Sequence, residues 1–370
     1  MIQEFKTLTE VIQQAQARLT RNEWDYLLGG SDTETTMKRN RLAFEKLALK
    51  SRVMTDVSQV HMRRNFLGVD LRIPVLLAPI GSLQVFDPSA GLGVAQAAEN
   101  FGVMQIYSSV CHPDFEALMR ANQGPKIYQL YVHGDEAWMM DIIGRAVALG
   151  YRALCLTVDT QVYSRRERDL LKRYLPISQR QDGVATKGQA ASLQPSLSWG
   201  LVDRIKERYK LPIILKGIAC AEDAELAVSH GVEVVYVSNH GGRQLDQGRA
   251  SLDVLPEIVA AVGGRCKVLV DGGILRGTDV LKALALGADA VAIGRLEGLA
   301  LAAGGAPAVG RMLELLEIEM RTNLALMGLS LIDQLTPDCL ASAEPVGVAQ
   351  VLSGFPLMNE GYPLTGRYTP

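Results

Sequence analysis

The stretch from residue 238 to residue 246 combines residue types that could transfer a proton and bind an anion. It reads Ser-Asn-His-Gly-Gly-Arg-Gln-Leu-Asp and follows an apolar run at 234–237 that is typical of a strand buried on both faces. His240 could take a proton near neutral pH. Arg243 could hold a carboxylate through two parallel hydrogen bonds. For this stretch alone, a polar loop with a solvated histidine and arginine is the alternative.

Seven other apolar runs, each followed by a helix-like segment, predict the elements that position this stretch. With the run described above they number eight: 75–79, 103–107, 127–131, 153–158, 213–216, 234–238, 267–271 and 290–294. Most follow one another at about the length of one βα unit. The pattern predicts an α/β fold, most simply a (β/α)8 (TIM) barrel. An open doubly wound sheet is the alternative, but no G-x-G-x-x-G follows the first strand.

The spacing of these runs also predicts how the chain is divided. We expect a single barrel domain over 1–340, in which 1–73 is a polar, helical N-terminal segment with one helix that stops at Gly29. The long gap at 161–211, after the fourth strand, is predicted to be a lid. Residues 341–370 are rich in Pro and Gly and are predicted to be an extended tail.

A polar residue or a glycine follows every predicted strand. In a barrel of this kind the chemistry takes place at the carboxyl ends of the strands, so the pattern indicates an enzyme rather than a scaffold. The residues at these ends are Pro79, Gly81, Ser108, Gln129, Tyr131, Thr157, Asp159, Lys216, Ser238, Asp271, Gly272, Gly273, Gly294 and Arg295.

Several of these positions suggest individual roles. Asp159 could orient His240 and stabilise its protonated form, or it could simply cap the next helix. Lys216 could be a Schiff-base nucleophile or a fixed positive charge beside an anionic cofactor. The turns at 271–273 and 294–295 resemble a barrel phosphate site, where backbone N–H groups hold the anion; two ordinary βα turns are the alternative. The other histidines are interpreted as structural or surface residues: His61, His112, His133 and His230.

The composition disfavours several classes of partner. The chain has 38 basic and 40 acidic residues, so no strong field favours nucleic acid or an acidic surface. No apolar run reaches the roughly 18–20 residues that span a bilayer. The N-terminus lacks the apolar region of a secretion signal. The five scattered cysteines show no metal-ligand spacing. These features predict a cytoplasmic protein without a metal or a membrane span.

Taken together, the motifs resemble those of the FMN-dependent 2-hydroxy acid oxidases and dehydrogenases, which include glycolate oxidase, lactate oxidase and mandelate dehydrogenase. The resemblance covers roughly residues 20–340. Besides 238–246, it depends on Trp24-Asp25-Tyr26, Gln129-Leu130-Tyr131, Leu156-Thr157-Val158-Asp159-Thr160, Leu215-Lys216-Gly217, Asp271-Gly272-Gly273 and Gly294-Arg295. It implies that FMN is the cofactor and that an L-2-hydroxy acid is oxidised to a 2-oxo acid, with O2 or another acceptor reoxidising the flavin. It also implies a homo-oligomer, either a tetramer or an octamer.

The resemblance assigns roles in substrate chemistry. His240 would be the base, Asp159 would hold its imidazolium form, and Tyr131 would hydrogen-bond near the substrate hydroxyl. The hydride equivalent would pass to flavin N5. The substrate carboxylate would be bound by Tyr26, Arg166 and Arg243.

The resemblance likewise assigns the cofactor contacts. Lys216 would lie by flavin N1 and O2, and Gly81 would lie against flavin N5. The remaining contacts would come from Ala78, Pro79, Ser108, Gln129, Thr157, Ser238, Asp271, Gly272, Gly273, Gly294 and Arg295.

The sequence departs from the family pattern at several positions that bear on function, among them Ile80, Gln161-Val162, Leu275 and Val110. Leu275 stands where an arginine is usual, so one positive charge is missing near the phosphate and FMN is expected to bind less tightly. Val110 stands where glycolate oxidases have tryptophan, so the pocket is expected to prefer a bulky apolar or aryl side chain to glycolate.

Two other classes of protein remain open on the sequence. One is an aldolase-type lyase that forms a Schiff base at Lys216 with a phosphorylated substrate. The other is a barrel that binds FMN or a partner without turnover, although the intact set of His240, Asp159 and Arg243 speaks against it.

Overall fold

In the computed structural model, which describes residues 5–174 and 194–362, three helices precede the first strand. They are α1 (Leu8–Arg18), α2 (Arg21–Leu28) and α3 (Thr35–Glu45). The first two begin at capping boxes, because Thr7 pairs with Glu10 and Thr20 pairs with Glu23. Helix α2 ends at Gly29, as the sequence predicted.

The second half of the N-terminal segment 1–73 is not helical, so that part of the prediction was wrong. It contains β1 (Leu47–Leu49), β2 (Arg64–Phe66) and β3 (Val69–Leu71). Strands β2 and β3 form a hairpin whose turn residues Leu67 and Gly68 have φ of 49° and 77°, as a two-residue hairpin turn requires. Phe66 and Leu71 are fully buried in the apolar cluster inside the barrel. Burial of these two side chains explains why a polar segment forms strands here.

The eight predicted barrel strands are all present. They are β4 (Val75–Leu77), β5 (Met104–Ser108), β6 (Lys126–Leu130), β7 (Leu154–Thr157), β8 (Ile213–Ile218), β9 (Val234–Val237), β10 (Lys267–Val270) and β11 (Ala290–Ile293). Each is parallel to its neighbours, and β11 pairs with β4 to close the barrel. Nearly every strand residue is buried, since one face meets the interior cluster and the other meets the helices. The predicted (β/α)8 barrel is therefore confirmed.

Nine helices follow the strands within the described residues. They are α4 (Ala90–Phe101), α5 (Phe115–Ala121), α6 (Glu136–Ala148), α7 (Glu167–Leu171), α8 (Trp199–Arg208), α9 (Ala221–Ser229), α10 (Ser251–Val262), α11 (Gly277–Ala285) and α12 (Arg295–Leu326). Helix α12 kinks at Gly304 and Gly305. It is long and apolar enough to cross a bilayer, but 67% of its most apolar window is buried in the protein, where it packs against α1 and α4.

The predicted lid at 161–211 is only partly a loop. Its described parts contain α7 and α8, and α8 is the barrel helix that leads into β8. The polar stretch at 175–193 lies outside the described residues.

The C-terminal segment lies against the barrel. Strand β12 (Leu340–Ser342) pairs with β1, and a short helical turn forms at Pro356–Asn359. Phe355 is only 2% exposed. The described part of the predicted tail is thus irregular in structure but packed, and residues 363–370 lie outside the described part of the chain.

Candidate active site

A cavity of about 570 Å³ lies at the carboxyl ends of the barrel strands, within the size range of small-molecule sites. Most of the predicted site residues line it: Tyr26, Ala78, Pro79, Gly81, Val110, Tyr131, Arg166, Lys216, His240, Arg243, Asp271, Gly272, Gly273, Gly294 and Arg295. The others are not on its wall: Ser108, Gln129, Thr157, Asp159 and Ser238. The strand ends therefore meet where the polar residues of the sequence predicted a site.

His240 is fixed by contacts on both ring nitrogens. Its Nδ1 lies 3.0 Å from Asp159 Oδ1, and its Nε2 lies 3.2 Å from the Tyr131 hydroxyl. The backbone of His240 has φ of 58°, and its N–H donates to Ser238 Oγ at 3.1 Å. Because a carboxylate can only accept, the hydrogen of the neutral ring belongs on Nδ1. Nε2 is then the atom that can take a proton.

The charges around this pair set its protonation state. Burial lowers the pKa of His240 below the ordinary 6.5, and the positive charge of Lys216 lowers it further, against the effect of Asp159. Burial alone would raise the pKa of Asp159, but His240 and Lys216 hold it at about 2. At neutral pH the pair is therefore a carboxylate beside a neutral imidazole, which is the state that a general base requires.

Lys216 reaches the cavity through an irregularity in β8. The register with β9 shifts between Lys216 and Ile218, and Gly217 between them has φ of 115°. A Cβ on Gly217 would lie 2.6 Å from Asp159 Cβ, so a side chain there would displace Asp159. Glycine at this position lets the carboxylate sit beside the lysine.

Lys216 is a buried cation. Its Nζ donates to Ser238 Oγ at 3.1 Å and lies 4.0 Å from Asp271 Oδ2. Although burial favours the neutral amine, Asp159 and Asp271 raise the pKa of Lys216 above its ordinary value. A Schiff-base nucleophile must be a free amine, so this geometry favours the fixed-charge role over the aldolase-type alternative.

Two partly buried arginines lie next to the histidine. Arg243 Nη1 donates to the carbonyl oxygens of Tyr26 and Gly29, both at 2.8 Å. Burial and the neighbouring charge of Arg166 lower the pKa of Arg243 to about 10. Arg166 Nε is buried and has no acceptor among the described residues. Two neighbouring guanidinium groups repel each other, so an anion bound between them would be favoured.

Another part of the cavity wall has the features of a phosphate site. Gly272 and Gly273 have φ of 102° and 84°, and a Cβ on Gly273 would lie 3.0 Å from the Asn40 backbone. Gly294 precedes α12, whose first N–H groups have no acceptors within the helix. This turn and this helix N-terminus face one cavity, as anion sites in barrels do.

The Arg295 side chain, which was predicted to hold the phosphate, also contacts backbone carbonyl oxygens. Its guanidinium donates to the carbonyl oxygens of Leu28, Gly29 and Gly241, at 3.3, 2.9 and 2.7 Å. Burial and the charge of Arg243 lower its pKa to about 9. The side chain therefore ties the end of α2 to the turn after His240. Residue 295 also lies at the N-terminus of α12, where the helix dipole favours an anion.

Polar residues behind the wall hold the strand ends in place. Ser238 Oγ donates to Asp271 Oδ1 at 2.7 Å, and Gln129 Nε2 donates to Thr157 Oγ1 at 2.9 Å. Gln129 Oε1 is buried without a donor in the described residues. On the cavity wall, the buried cation of Lys216 and the glycine turn at 272–273 fit two parts of FMN, which are the electron-accepting ring and the phosphate.

Some cavity residues were missed from the sequence. His133, interpreted there as structural or surface, lines the cavity, and its Nε2 has no partner in the described chain. Its position two residues after Tyr131 was the available signal. Thr160 also lines the cavity, and its hydroxyl lies 3.2 Å from Asp159 Oδ1. Gln244 holds the backbone carbonyl of Asp159 at 3.1 Å.

Comparison with known proteins identifies close relatives. The sequence profile of the FMN-dependent dehydrogenases matches residues 15–342. An L-lactate oxidase from Nostoc sp. is 38% identical over 345 residues, which cover 87% of this chain and 94% of that protein.

Solved structures agree with the sequence match. Mandelate oxidase with (S)-2-phenylpropionate superposes with a TM-score of 0.84 at 35% identity, covering 93% of this chain and all of the other. A soluble mutant of the membrane-associated (S)-mandelate dehydrogenase from Pseudomonas putida gives 0.85 at 32% identity, covering 91% of this chain and 99% of the other. The predicted family, fold and cofactor are thereby confirmed: this chain belongs to the FMN-dependent dehydrogenase family and is an FMN-dependent oxidoreductase that acts on CH-OH donors.

Proposed function

We propose that this protein oxidises an L-2-hydroxy acid with a bulky apolar or aryl side chain to the corresponding 2-oxo acid. The observation that carries the proposal is the placement of Arg166, Arg243 and His240 on the wall of one cavity. A 2-hydroxy acid has a carboxylate one carbon away from the carbon that is oxidised. An anion site beside a general base therefore matches the substrate as well as the chemistry.

The arginines orient the substrate by its carboxylate. Arg243 is locked by its two bonds to backbone carbonyl oxygens, and its guanidinium carbon lies 5.3 Å from the centre of the Tyr26 ring. Arg166 supplies the second charge. Charged hydrogen bonds of this kind contribute roughly 1.5–3 kcal/mol each. Substrate binding also relieves the repulsion between the two guanidinium groups.

The histidine takes a proton from the oriented substrate. Nε2 of the neutral ring accepts it, and the Asp159 carboxylate at Nδ1 stabilises the imidazolium that forms. Burial raises the pKa of Tyr131 well above its ordinary value, so its hydroxyl stays protonated. Tyr131 can therefore donate a hydrogen bond to the substrate oxygen beside Nε2.

When bound, FMN would supply the two-electron acceptor for the hydride equivalent, and O2 or another acceptor would reoxidise it. Lys216 would hold a positive charge beside the flavin ring. Gln129 and Thr157 would support the ring edge, and Ser108 lies at the end of the neighbouring strand. Gly272, Gly273 and the N-terminus of α12 would hold the phosphate.

Val110 supports the proposed side-chain preference. It lines the cavity, and a Cβ on Gly81 would lie 2.7 Å from Val110 Cγ2, so the two residues share one wall. A tryptophan in place of the valine would add about 100 Å² of apolar surface. The names of the structural relatives, a mandelate oxidase and an (S)-mandelate dehydrogenase, favour the same kind of substrate.

The location and assembly of the enzyme form part of the same proposal. We place it in the cytoplasm, on the basis of its unpaired cysteines. We also expect a homo-oligomer, a tetramer or an octamer, as the family resemblance suggests.

His240→Ala should retain FMN and lose catalysis. Removal of the base is expected to slow flavin reduction by the substrate at least ~10²-fold. Anaerobic stopped-flow absorbance measures the reduction, and the bound FMN is quantified from the flavin spectrum. The matched control is His230→Ala, because His230 pairs with Asp203 at 2.6 Å and does not line the cavity. Near-normal reduction by His240→Ala would contradict the assigned role.

Arg243→Lys should weaken substrate binding and slow reduction together. A lysine cannot keep both the carbonyl contacts and a two-pronged bond to a carboxylate. Loss of about 1.5–3 kcal/mol corresponds to roughly a 10- to 150-fold weaker substrate Kd. Anaerobic titration and stopped-flow reduction give the Kd and the rate. Arg249→Lys is the control, because Arg249 forms an exposed pair with Glu257 and does not line the cavity. Unchanged kinetics would mean that the carboxylate binds elsewhere.

Val110→Trp should move the substrate preference toward glycolate. The native enzyme is expected to have a higher kcat/KM for mandelate or 2-hydroxyoctanoate than for lactate and glycolate. Apolar contact with the larger side chain should favour these acids by up to about 2.5 kcal/mol. The tryptophan variant should lose most of that advantage. Val162→Trp controls for the substitution, since Val162 is 74% exposed and outside the cavity.

The same panel of acids tests the proposed function itself. Under anaerobic conditions, 2-hydroxy acids should bleach the flavin of the native enzyme. If glycolate ranked first, the pocket argument would be wrong. If no 2-hydroxy acid bleached the flavin, the proposed reaction would be wrong.

A further inference from the structure

The phosphate end of the cavity is bounded by a segment that is remote in sequence. Val351 lines the same cavity as Gly273 and Gly294. Beside it, a Cβ on Gly354 would lie 3.3 Å from Leu275 Cβ. The C-terminal segment therefore passes directly over the glycine turn at which the proposed function places the phosphate.

Leu275 is the surface on which this segment packs. It is 2% exposed, and a Cβ on Gly354 would meet Leu275 Cδ1 at 3.4 Å as well as its Cβ. An arginine at position 275 would have to push the segment away or bury its charge beneath it. The leucine is thus a packing residue for the C-terminal segment, which the sequence alone did not reveal.

The segment is anchored on both sides of Gly354. Ser353 Oγ donates to the Glu45 carboxylate at 2.7 Å. Phe355 is 2% exposed, and the Arg276 guanidinium carbon lies 5.4 Å from the centre of its ring. Arg276 is in turn paired with Glu319 at 2.7 Å. These contacts give the segment a fixed position rather than that of a loose tail.

A buried arginine lies between the segment and the turn. Arg41 is 4% exposed, lines the cavity and forms an ion pair with Asp279 at 2.7 Å. Its Nη2 would be 3.5 Å from a Cβ on Gly354. Its Nε has no acceptor within the described residues, and a phosphate oxygen would supply one.

We propose that residues 351–355 form the outer wall of the FMN phosphate subsite, with Leu275 as their packing partner and Arg41 as the buried cation. The inference depends on the phosphate position given under the proposed function. In this arrangement, the wall encloses the phosphate and Arg41 supplies the positive charge, so that together they replace the arginine that is usual at position 275. FMN cannot leave until the wall moves, so release is slow despite the missing charge.

A disulfide across the wall tests the inference in the closed state. The Cβ separation of 3.3 Å between positions 354 and 275 is close to the ~3.5–4.5 Å of a disulfide. The variant Gly354→Cys with Leu275→Cys is loaded with FMN, oxidised and diluted, and release is followed by the rise in flavin fluorescence. Release from the oxidised protein should be about tenfold slower than after reduction, since such constraints act mainly on dissociation rates. The two single-cysteine variants control for native thiols.

Opening the wall should have the reverse effect. Phe355→Ala removes the buried anchor without altering the cavity lining and should speed FMN release about tenfold. Val348→Ala, three residues before the wall and 82% exposed, should release FMN like the native protein. If a crosslink verified by mass spectrometry left the release rate unchanged, the wall would be refuted even though FMN bound normally. Failure of the native protein to bind FMN would instead overturn the proposed function.

Discussion

The hydrogen bond between Asp159 and His240 crosses the end of a barrel strand, and the rest of the site depends on the space for it. Asp159 follows β7 and His240 follows β9, so the bond must pass over the end of β8. Gly217 provides the room, because a side chain there would collide with Asp159. The same irregularity places Lys216 where it acts on both partners. One glycine thus sets both the position of the base and its protonation state.

The balance of positive and negative charges among the cavity residues explains which part of the cavity can bind an anion. Arg295 is satisfied by three carbonyl oxygens, and Lys216 lies near two carboxylates. Within the described residues, Arg166 and Arg243 have no carboxylate hydrogen-bonded to them, and burial together with their mutual repulsion lowers the pKa of Arg243. The cavity is therefore short of negative charge at the end where the substrate is proposed to bind. An anionic substrate completes it, which is why a 2-hydroxy acid suits it better than a neutral alcohol.

The parts of the fold and of the site that could be predicted are those marked by a pattern of neighbouring residues in the sequence. Buried parallel strands are continuous apolar runs, and their polar ends stand out against them, so the barrel and most of the cavity lining followed from pattern. The hairpin with Phe66 and Leu71 was missed because only two of its residues are buried in the barrel interior. The packing of Phe355 was missed because its partners are supplied by remote parts of the chain. For the same reason, the burial of Leu275 beneath the C-terminal segment was not predicted.

The pH dependence of catalysis by Asp159→Asn tests the central claim most directly. In the native enzyme, kcat/KM for a 2-hydroxy acid should fall on the acid side with an apparent pKa below the ordinary 6.5 of histidine, because burial and Lys216 lower the pKa of His240. Asparagine removes the negative charge that raises this pKa, so the acid limb should move to lower pH while the plateau falls by at least ~10²-fold. An acid limb and a plateau that were both unchanged would show that Asp159 does not act on the base, and the account of the site would fail.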